Sequence, residues 1–390
     1  MKMKIGLATI NPFPIGNVST IRYTSYLNSL AKKGIFTKVY IISPSATAAA
    51  NSKLSGSEFG INYKYMCNKI TWNRPTSIIV KLFYYNFGLL KTAIELKKDG
   101  VNCLILYGSD FYTYIFFFIL KLFYKFTLVT DKSEYPYGYK NLNKIGKVFQ
   151  ILKLKVFDGF IVMTKELTKF YEYHKSRKAL VFHLPMTIDV TKFEKHKRQA
   201  FDYKFIACVF GTHNRDGLLD TIKSYKVYRD KFGDKSYKLW LIGDINNLKD
   251  GYNVINFVNQ NGLKDDVCFK GILPNDDVTK LLINAECLIS TPIEYSSGGF
   301  PTKLGEYLAS KTPVVVTSAG EIPFYIKDRI HAFLAKPGHI NHIAECLGYV
   351  HLHPEESRNI ANEGSKLVNT VFNADSYTDE LIKFITELKK

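Results

Sequence analysis

Lys303 and Glu306 stand three residues apart, just after a glycine pair, Gly298-Gly299, and a proline, Pro301. At that spacing the cation and the carboxylate share one face of a helix. Pro301 fits the first turn of such a helix, where its missing N–H is not needed. With no Cβ in the way, Gly298 and Gly299 leave backbone N–H groups open to a ligand. Together with the positive end of the helix they make an anion site. One turn further in, the Glu306 carboxylate can accept hydrogen bonds from sugar hydroxyls. Glu294 lies earlier on the same loop, and Phe300 and Thr302 flank the proline. An ordinary turn between a strand and a helix is the competing reading of a lone glycine pair.

Short apolar runs surround this loop and must position it. Residues 285–290 read as a buried strand, 313–318 as the next one, and Gly320 opens a further loop. The same alternation runs along the whole chain. Strands are expected near 5–10, 38–43, 63–70, 101–107, 127–130, 159–163 and 179–183. Helices are expected over 19–33, 75–98, 110–124, 141–156 and 165–173, the first capped by Ser19 or Thr20. The small, polar stretch 44–60 reads as a loop. After a basic, polar segment the alternation restarts, with strands at 205–210, 238–243, 267–271 and 332–335. This spacing predicts an α/β protein of two doubly wound parallel sheets. The expected boundaries are a first domain over 1–188, a linker over 189–204, a second domain over 205–375, and a C-terminal helix over 376–390 that packs back on the first domain.

Composition narrows the partners. The formal net charge is +18, and residues 1–188 carry all of it, with 27 Lys and Arg against 9 Asp and Glu; residues 189–390 hold 26 of each. Aromatic residues crowd the same basic half. Such an asymmetry points to an anionic partner, a membrane surface, a lipid diphosphate or nucleic acid, and the aromatic content favours the membrane interface over bulk solvent; no nucleic-acid partner is expected. The apolar stretch 112–126 is interrupted by Lys121 and Lys125 and is too short to span a bilayer, which takes roughly 20 apolar residues. The six cysteines form no C-x-x-C pair and three lie in apolar runs, so reduced core thiols and a cytoplasmic location are expected. His339/His342 and His351/His353 have ligand-like spacing, but no Cys or carboxylate set completes a site, and no metal or cofactor is expected. Dinucleotide, P-loop, nucleophile-elbow, zincin and D-x-D motifs are absent from the sequence.

The string Gly299-Phe300-Pro301, Glu306-Tyr307-Leu308-Ala309 and Pro313-Val314-Val315 resembles the donor-binding signature of family-four retaining glycosyltransferases, which have the GT-B fold. That resemblance implies two Rossmann-like domains facing across a cleft, a nucleotide-sugar donor on the second domain, and a lipid-linked or glycan acceptor on the basic first domain. It departs from the family at one position: Gly298 stands where the first Glu of the pattern should be. Glu294 is a candidate substitute. Gly211 and Arg215, in the 211–217 loop, match the place where the family contacts the donor diphosphate, usually with Lys. Arg215, Lys303 and Glu294 are therefore the candidate catalytic residues. Gly211, Gly298, Gly299, Phe300, Pro301, Thr302 and Glu306 are the candidate donor-binding residues, with Glu306 on the ribose. Gly16, Asp131 and Glu134, at strand ends of the first domain, are candidates for the acceptor side, and Arg22 for an acceptor phosphate. The implied activity is metal-independent transfer of a hexose with retention, by an enzyme peripheral on the inner face of the cytoplasmic membrane. A non-catalytic relative acting as a partner, and an epimerase of the same fold, are the alternatives.

Overall fold

The computed structural model describes residues 2–42, 51, 53–67, 78–199, 204–211, 216–232, 236–295 and 297–389. The chain divides into two compact units, residues 1–187 with 373–390, and residues 188–372.

The strands of the first unit are β1 (Lys4–Thr9), β2 (Phe36–Ile41), β3 (Ser55–Glu58), β4 (Ile61–Tyr65), β5 (Cys103–Tyr107), β6 (Thr127–Lys132), β7 (Gly159–Val162) and β8 (Leu180–His183). They form one sheet in the order β3-β4-β2-β1-β5-β6-β7-β8, parallel except for the β3–β4 hairpin. Its first strand, β3, falls inside the stretch 44–60 expected to be loop. Ser55–Glu58 is exposed along its whole length, so it carries no apolar alternation. Its partner strand starts earlier than expected, at Ile61. The helices are α1 (Val18–Lys32), α2 (Ile78–Asp99), α3 (Phe111–Tyr124), α4 (Lys144–Leu152) and α5 (Lys165–His174). Asn17, rather than Ser19 or Thr20, caps α1: its side chain accepts from the N–H groups of Ser19 and Thr20. The helix expected over 141–156 is α-helical only through Leu152 and tightens into a 3-10 turn over Lys153–Val156. The C-terminal helix Thr378–Glu387 belongs to this unit, and Leu381, Phe384 and Ile385 enter its core beside Ile161 and Leu184.

The second unit has six parallel strands, β9 (Lys204–Val209), β10 (Tyr237–Ile242), β11 (Val267–Gly271), β12 (Cys287–Ser290), β13 (Val314–Thr317) and β14 (Phe333–Ala335). Their order is β11-β10-β9-β12-β13-β14. Its helices are α6 (Thr191–Glu194), α7 (Leu218–Phe232), α8 (Gly251–Gln260), α9 (Asn275–Asn284), α10 (Thr302–Ala309), α11 (Ile322–Tyr325), α12 (Ile340–Leu352) and α13 (Pro354–Val368). The segment expected to be a linker thus contributes to this unit: Phe193 of α6 is buried. The core between the sheet and α7 and α12 is built from Ile222, Tyr225, Leu239, Leu241, Ile289 and Leu347. The chain leaves β9 toward β10 and β11 on one side, then returns to place β12 on the other. In doubly wound sheets, ligands bind at the carboxyl ends of the strands where the order reverses. Here that point lies between β9 and β12, and the strand ends there are Val209 and Ser290.

Candidate active site

The loops after β9 and β12 approach each other closely. Gly217 has a left-handed backbone, φ +68°, and a Cβ placed on it would lie 1.8 Å from the Thr291 carbonyl oxygen, so no other residue fits. The Thr291 hydroxyl donates to the Gly217 carbonyl at 2.7 Å and pairs with the Thr221 hydroxyl at 2.8 Å, tying the start of α7 to the end of β12. Tyr307 of α10 is fully buried beneath this junction, and its hydroxyl accepts from the Val209 N–H at 2.7 Å. Burial raises the Tyr307 phenol well above its ordinary value, which keeps it a neutral bonding partner.

Lys303 and Glu306 project from α10 as their spacing predicts, and each meets a partner that the sequence did not reveal. Lys303 Nζ donates to the Val209 carbonyl at 3.0 Å and pairs with Asp216 at 2.8 Å; both side chains are largely buried. The other Asp216 oxygen accepts from the Gly211 N–H at 2.6 Å. Asp216 therefore clamps both ends of the loop after β9 and holds Lys303 against it. Glu306 is ion-paired with Lys192 of α6. Asp216 lies within the Arg215-Asp216-Gly217 motif, whose sequence singles out the arginine; nothing in the sequence points to Lys192.

Among the other expected residues, Pro301 stands at the N-cap position of α10, one place earlier than expected, with Thr302 the first helical residue. Phe300 is buried against the rings of Tyr325 and Phe372, with centroids 5.5 and 5.8 Å away, so it fixes the loop as a packing anchor. Gly298 has φ +77°, and its N–H donates to the Tyr295 carbonyl at 2.8 Å to close a turn. Gly298 and Gly299 are both buried, and Glu294 is exposed on the preceding stretch. Arg215 lies outside the described residues.

In the first unit the expectations need correction. Asp131 does not reach solvent: its side chain is fully buried, and Arg22 Nε donates to its two oxygens at 3.0 and 3.1 Å. Burial pushes the Asp131 carboxyl up, and Arg22 opposes that. The rest of the Arg22 guanidinium donates to the carbonyls of Leu184 and Pro185, so this arginine ties α1 to the segment after β8 and is not open to a phosphate. Glu134 is exposed, and its carbonyl accepts from the Tyr171 hydroxyl. Gly16 is packed hard against Thr20 and the Pro12 carbonyl, leaving no room for a side chain.

Several groups are removed from consideration as reactive centres. All six cysteines are free thiols, and burial pushes those of Cys103, Cys208 and Cys346 up to about 11. Among the described residues no three His, Cys, Asp or Glu side chains are placed to hold a metal ion. His342 accepts from the Lys336 N–H, and His351 pairs with the Tyr228 hydroxyl. A cavity of about 570 Å³ opens at the opposite end of α10, beside Ser310 and Lys311. Its His196 and Arg198 are already paired, with Asp276 and Glu286.

Residues 191–367, which span this loop system, match the family model for glycosyl transferases group 1. The second unit is thus similar to group 1 glycosyl transferases over nearly its whole length. No curated protein matches the chain by sequence. Solved structures match nearly its whole length and give it the GT-B fold. Sucrose-phosphate synthase from Thermosynechococcus elongatus superposes with a TM-score of 0.74 at 13% identity, covering 99% of each chain. A glycosyltransferase from Rickettsia africae superposes with a TM-score of 0.70 at 14% identity, covering 100% of this chain and 99% of its own. Anabaena HepE, solved in complex with UDP-glucose, superposes with a TM-score of 0.70 at 12% identity, covering 98% of this chain and 99% of its own.

Proposed function

We propose that the protein is a retaining, metal-independent glycosyltransferase that moves a hexose from a UDP-sugar to a lipid-linked or surface-polysaccharide acceptor, such as a capsule or O-antigen precursor. The observation that carries this reading is the placing of Lys303, Glu306 and the Gly298-Gly299 loop together at the N-terminus of α10, where the strand order of the second unit reverses. A helix N-terminus and a lysine suit a diphosphate. In this reading Lys303, Arg215 and the N-terminal end of α10 stabilise the charge that develops on the leaving diphosphate, while Glu306 holds the ribose. Glu294 faces the sugar. The UDP-glucose complex of Anabaena HepE, which shares the fold, supports UDP as the donor nucleotide. The basic first unit would serve the acceptor at an anionic membrane, on the inner face of the cytoplasmic membrane. Among the described residues no helix is long and apolar enough to cross a bilayer, which is compatible with a peripheral site.

The test is thermal stabilisation of the purified protein by UDP, GDP, ADP and CMP and by their sugar conjugates. A ligand that binds only the native state raises stability by RT ln(1 + [L]/Kd). A shift with UDP and its conjugates is expected. A second reading, a non-catalytic relative that serves as a binding partner, is favoured by Gly298 in place of the usual Glu; absence of a shift with every nucleotide would select it.

A further inference from the structure

Helix α4 has its apolar residues on the wrong side for a core. Ile145, Val148, Phe149 and Leu152 recur at i, i+3, i+4 and i+7, the spacing of a single buried stripe. None of the nine residues of α4 is buried, and Ile145 is 80% and Leu152 58% exposed. The stripe continues onto neighbouring helices. Phe111 at the start of α3 meets Phe149 with ring centroids 5.7 Å apart, and Leu122 and Phe123 at its far end are 64% and 73% exposed. Tyr112 donates to Asn86 at 2.5 Å, which joins α3 to α2, where Ile79 and Phe83 are exposed.

Lysines dominate the charges on this layer, with Asp158 paired to Lys121 and Asp110 capping α3. Neither α3 nor α4 contains an Asp or Glu, and α2 has none before Glu95. The lysines interleave with the apolar side chains: Lys153 lies over the rings of Phe111 and Phe149, and Lys91 over Phe87. Lys144 and Lys125 are exposed beside the stripe. Apolar side chains that end in solvent, edged by lysines whose stems lie along the rings, form the amphipathic pattern of an interfacial helix. A second copy of the chain fits poorly, because an isologous contact would set this face's many lysines against themselves, while its carboxylates are already engaged, Asp158 with Lys121 and Asp110 with the N-terminus of α3.

We propose that α4, with the exposed edges of α2 and α3, is the surface that enters the interface of an anionic lipid bilayer. The inference deepens the proposed function and rests on it only in taking a lipid-linked acceptor as the reason for docking. The test is co-sedimentation with vesicles of phosphatidylcholine alone and of phosphatidylcholine mixed with phosphatidylglycerol. Binding is expected only to the anionic vesicles and is expected to weaken as salt is raised. The double variant Ile145→Ser/Phe149→Ser changes exposed positions, so its fold should persist, checked by an unchanged circular dichroism spectrum. Its vesicle binding should fall at least tenfold while its stabilisation by UDP stays that of the wild type. In Phe149→Trp, brominated lipid should quench the new tryptophan. Equal vesicle binding by the double variant, an unquenched tryptophan in Phe149→Trp, or a dimer in light scattering that the double variant abolishes would each overturn the proposal. Vesicle binding in a protein that no nucleotide stabilises would remove the transferase reading and leave this one standing.

Discussion

Replacing Gly298 tests why this chain departs from the family pattern at that position. The backbone there is left-handed, φ +77°, and the N–H closes a turn onto the Tyr295 carbonyl. Forcing a residue with a Cβ into that region costs about 1–2 kcal/mol. For a unit of this size each kcal/mol lowers Tm by roughly 2–4 °C, so Gly298→Ala should melt about 2–8 °C lower. Gly298→Glu, which restores the residue of the pattern, should lose at least as much, because the same Cβ penalty applies and the position is buried. Asn tolerates left-handed backbone better, so Gly298→Asn should lose less. The assay is thermal melting of the three variants with and without saturating UDP. If Gly298→Ala melts with the wild type, the turn does not hold the backbone as described and the steric account fails. If Gly298→Glu instead strengthens nucleotide binding, the missing carboxylate, and not the turn, is what separates this loop from its family.

Three further outcomes follow from the same geometry. Glu306→Ala should weaken UDP binding about tenfold or more by calorimetry, the loss of a charge-assisted bond of roughly 1.5–3 kcal/mol; Lys192→Met, which removes only its ion-pair partner, should cost about threefold, near 0.6 kcal/mol. Asp216→Ala should lower stability by about 2–3 kcal/mol in denaturant melts, since it strands both Lys303 and the Gly211 N–H, and Asp216→Asn should recover part of that by keeping the Gly211 bond. Burial lowers the pKa of His183 from 6.5, with Lys165 and Arg22 acting the same way and a backbone bond at Met163 opposing. Above pH 6.5 the imidazole is neutral in both states; below it the unfolded chain takes up the proton first, so stability falls until the folded pKa is passed. The stability of the wild type relative to His183→Asn should therefore fall as the pH drops below 6.5; a flat difference would refute the assignment.

What the sequence made legible was local. Pro301, Lys303 and Glu306 place the start and one face of α10 because helix periodicity acts over a few residues. The buried parallel strands announce themselves as apolar runs, as Val314–Thr317 does with every residue buried. Ser55–Glu58 is an edge strand with no buried side chain, so no pattern marks it. Asn17, Ser19 and Thr20 are all good cap residues, and only the backbone angle at Asn17 decides among them. The pairings in the site were hidden for a different reason. Asp216 and Lys303 are far apart in sequence and meet because β9 and β12 are neighbours in the sheet, which is a fact of topology. Asp131 misled in the same way: a carboxylate at a strand end looks available until α1 brings Arg22 over it.

These long-range pairs also say how the candidate site is prepared. A lysine as buried as Lys303 needs a counter-charge whether or not a ligand is bound, and Asp216 supplies it from within the unit. An ammonium has three donors. Among the described residues, Asp216 and the Val209 carbonyl take two of them. Glu306 is held in a similar way, with Lys192 on one oxygen, while a carboxylate has about four lone-pair directions. Each of the two side chains is thus fixed in direction by a partner. A site arranged so needs no rotamer search when the ligand arrives, which reduces the side-chain entropy lost on binding. Tyr307, buried and bonded to the Val209 N–H, holds α10 to the end of β9 and so keeps both side chains at the point where the strand order reverses.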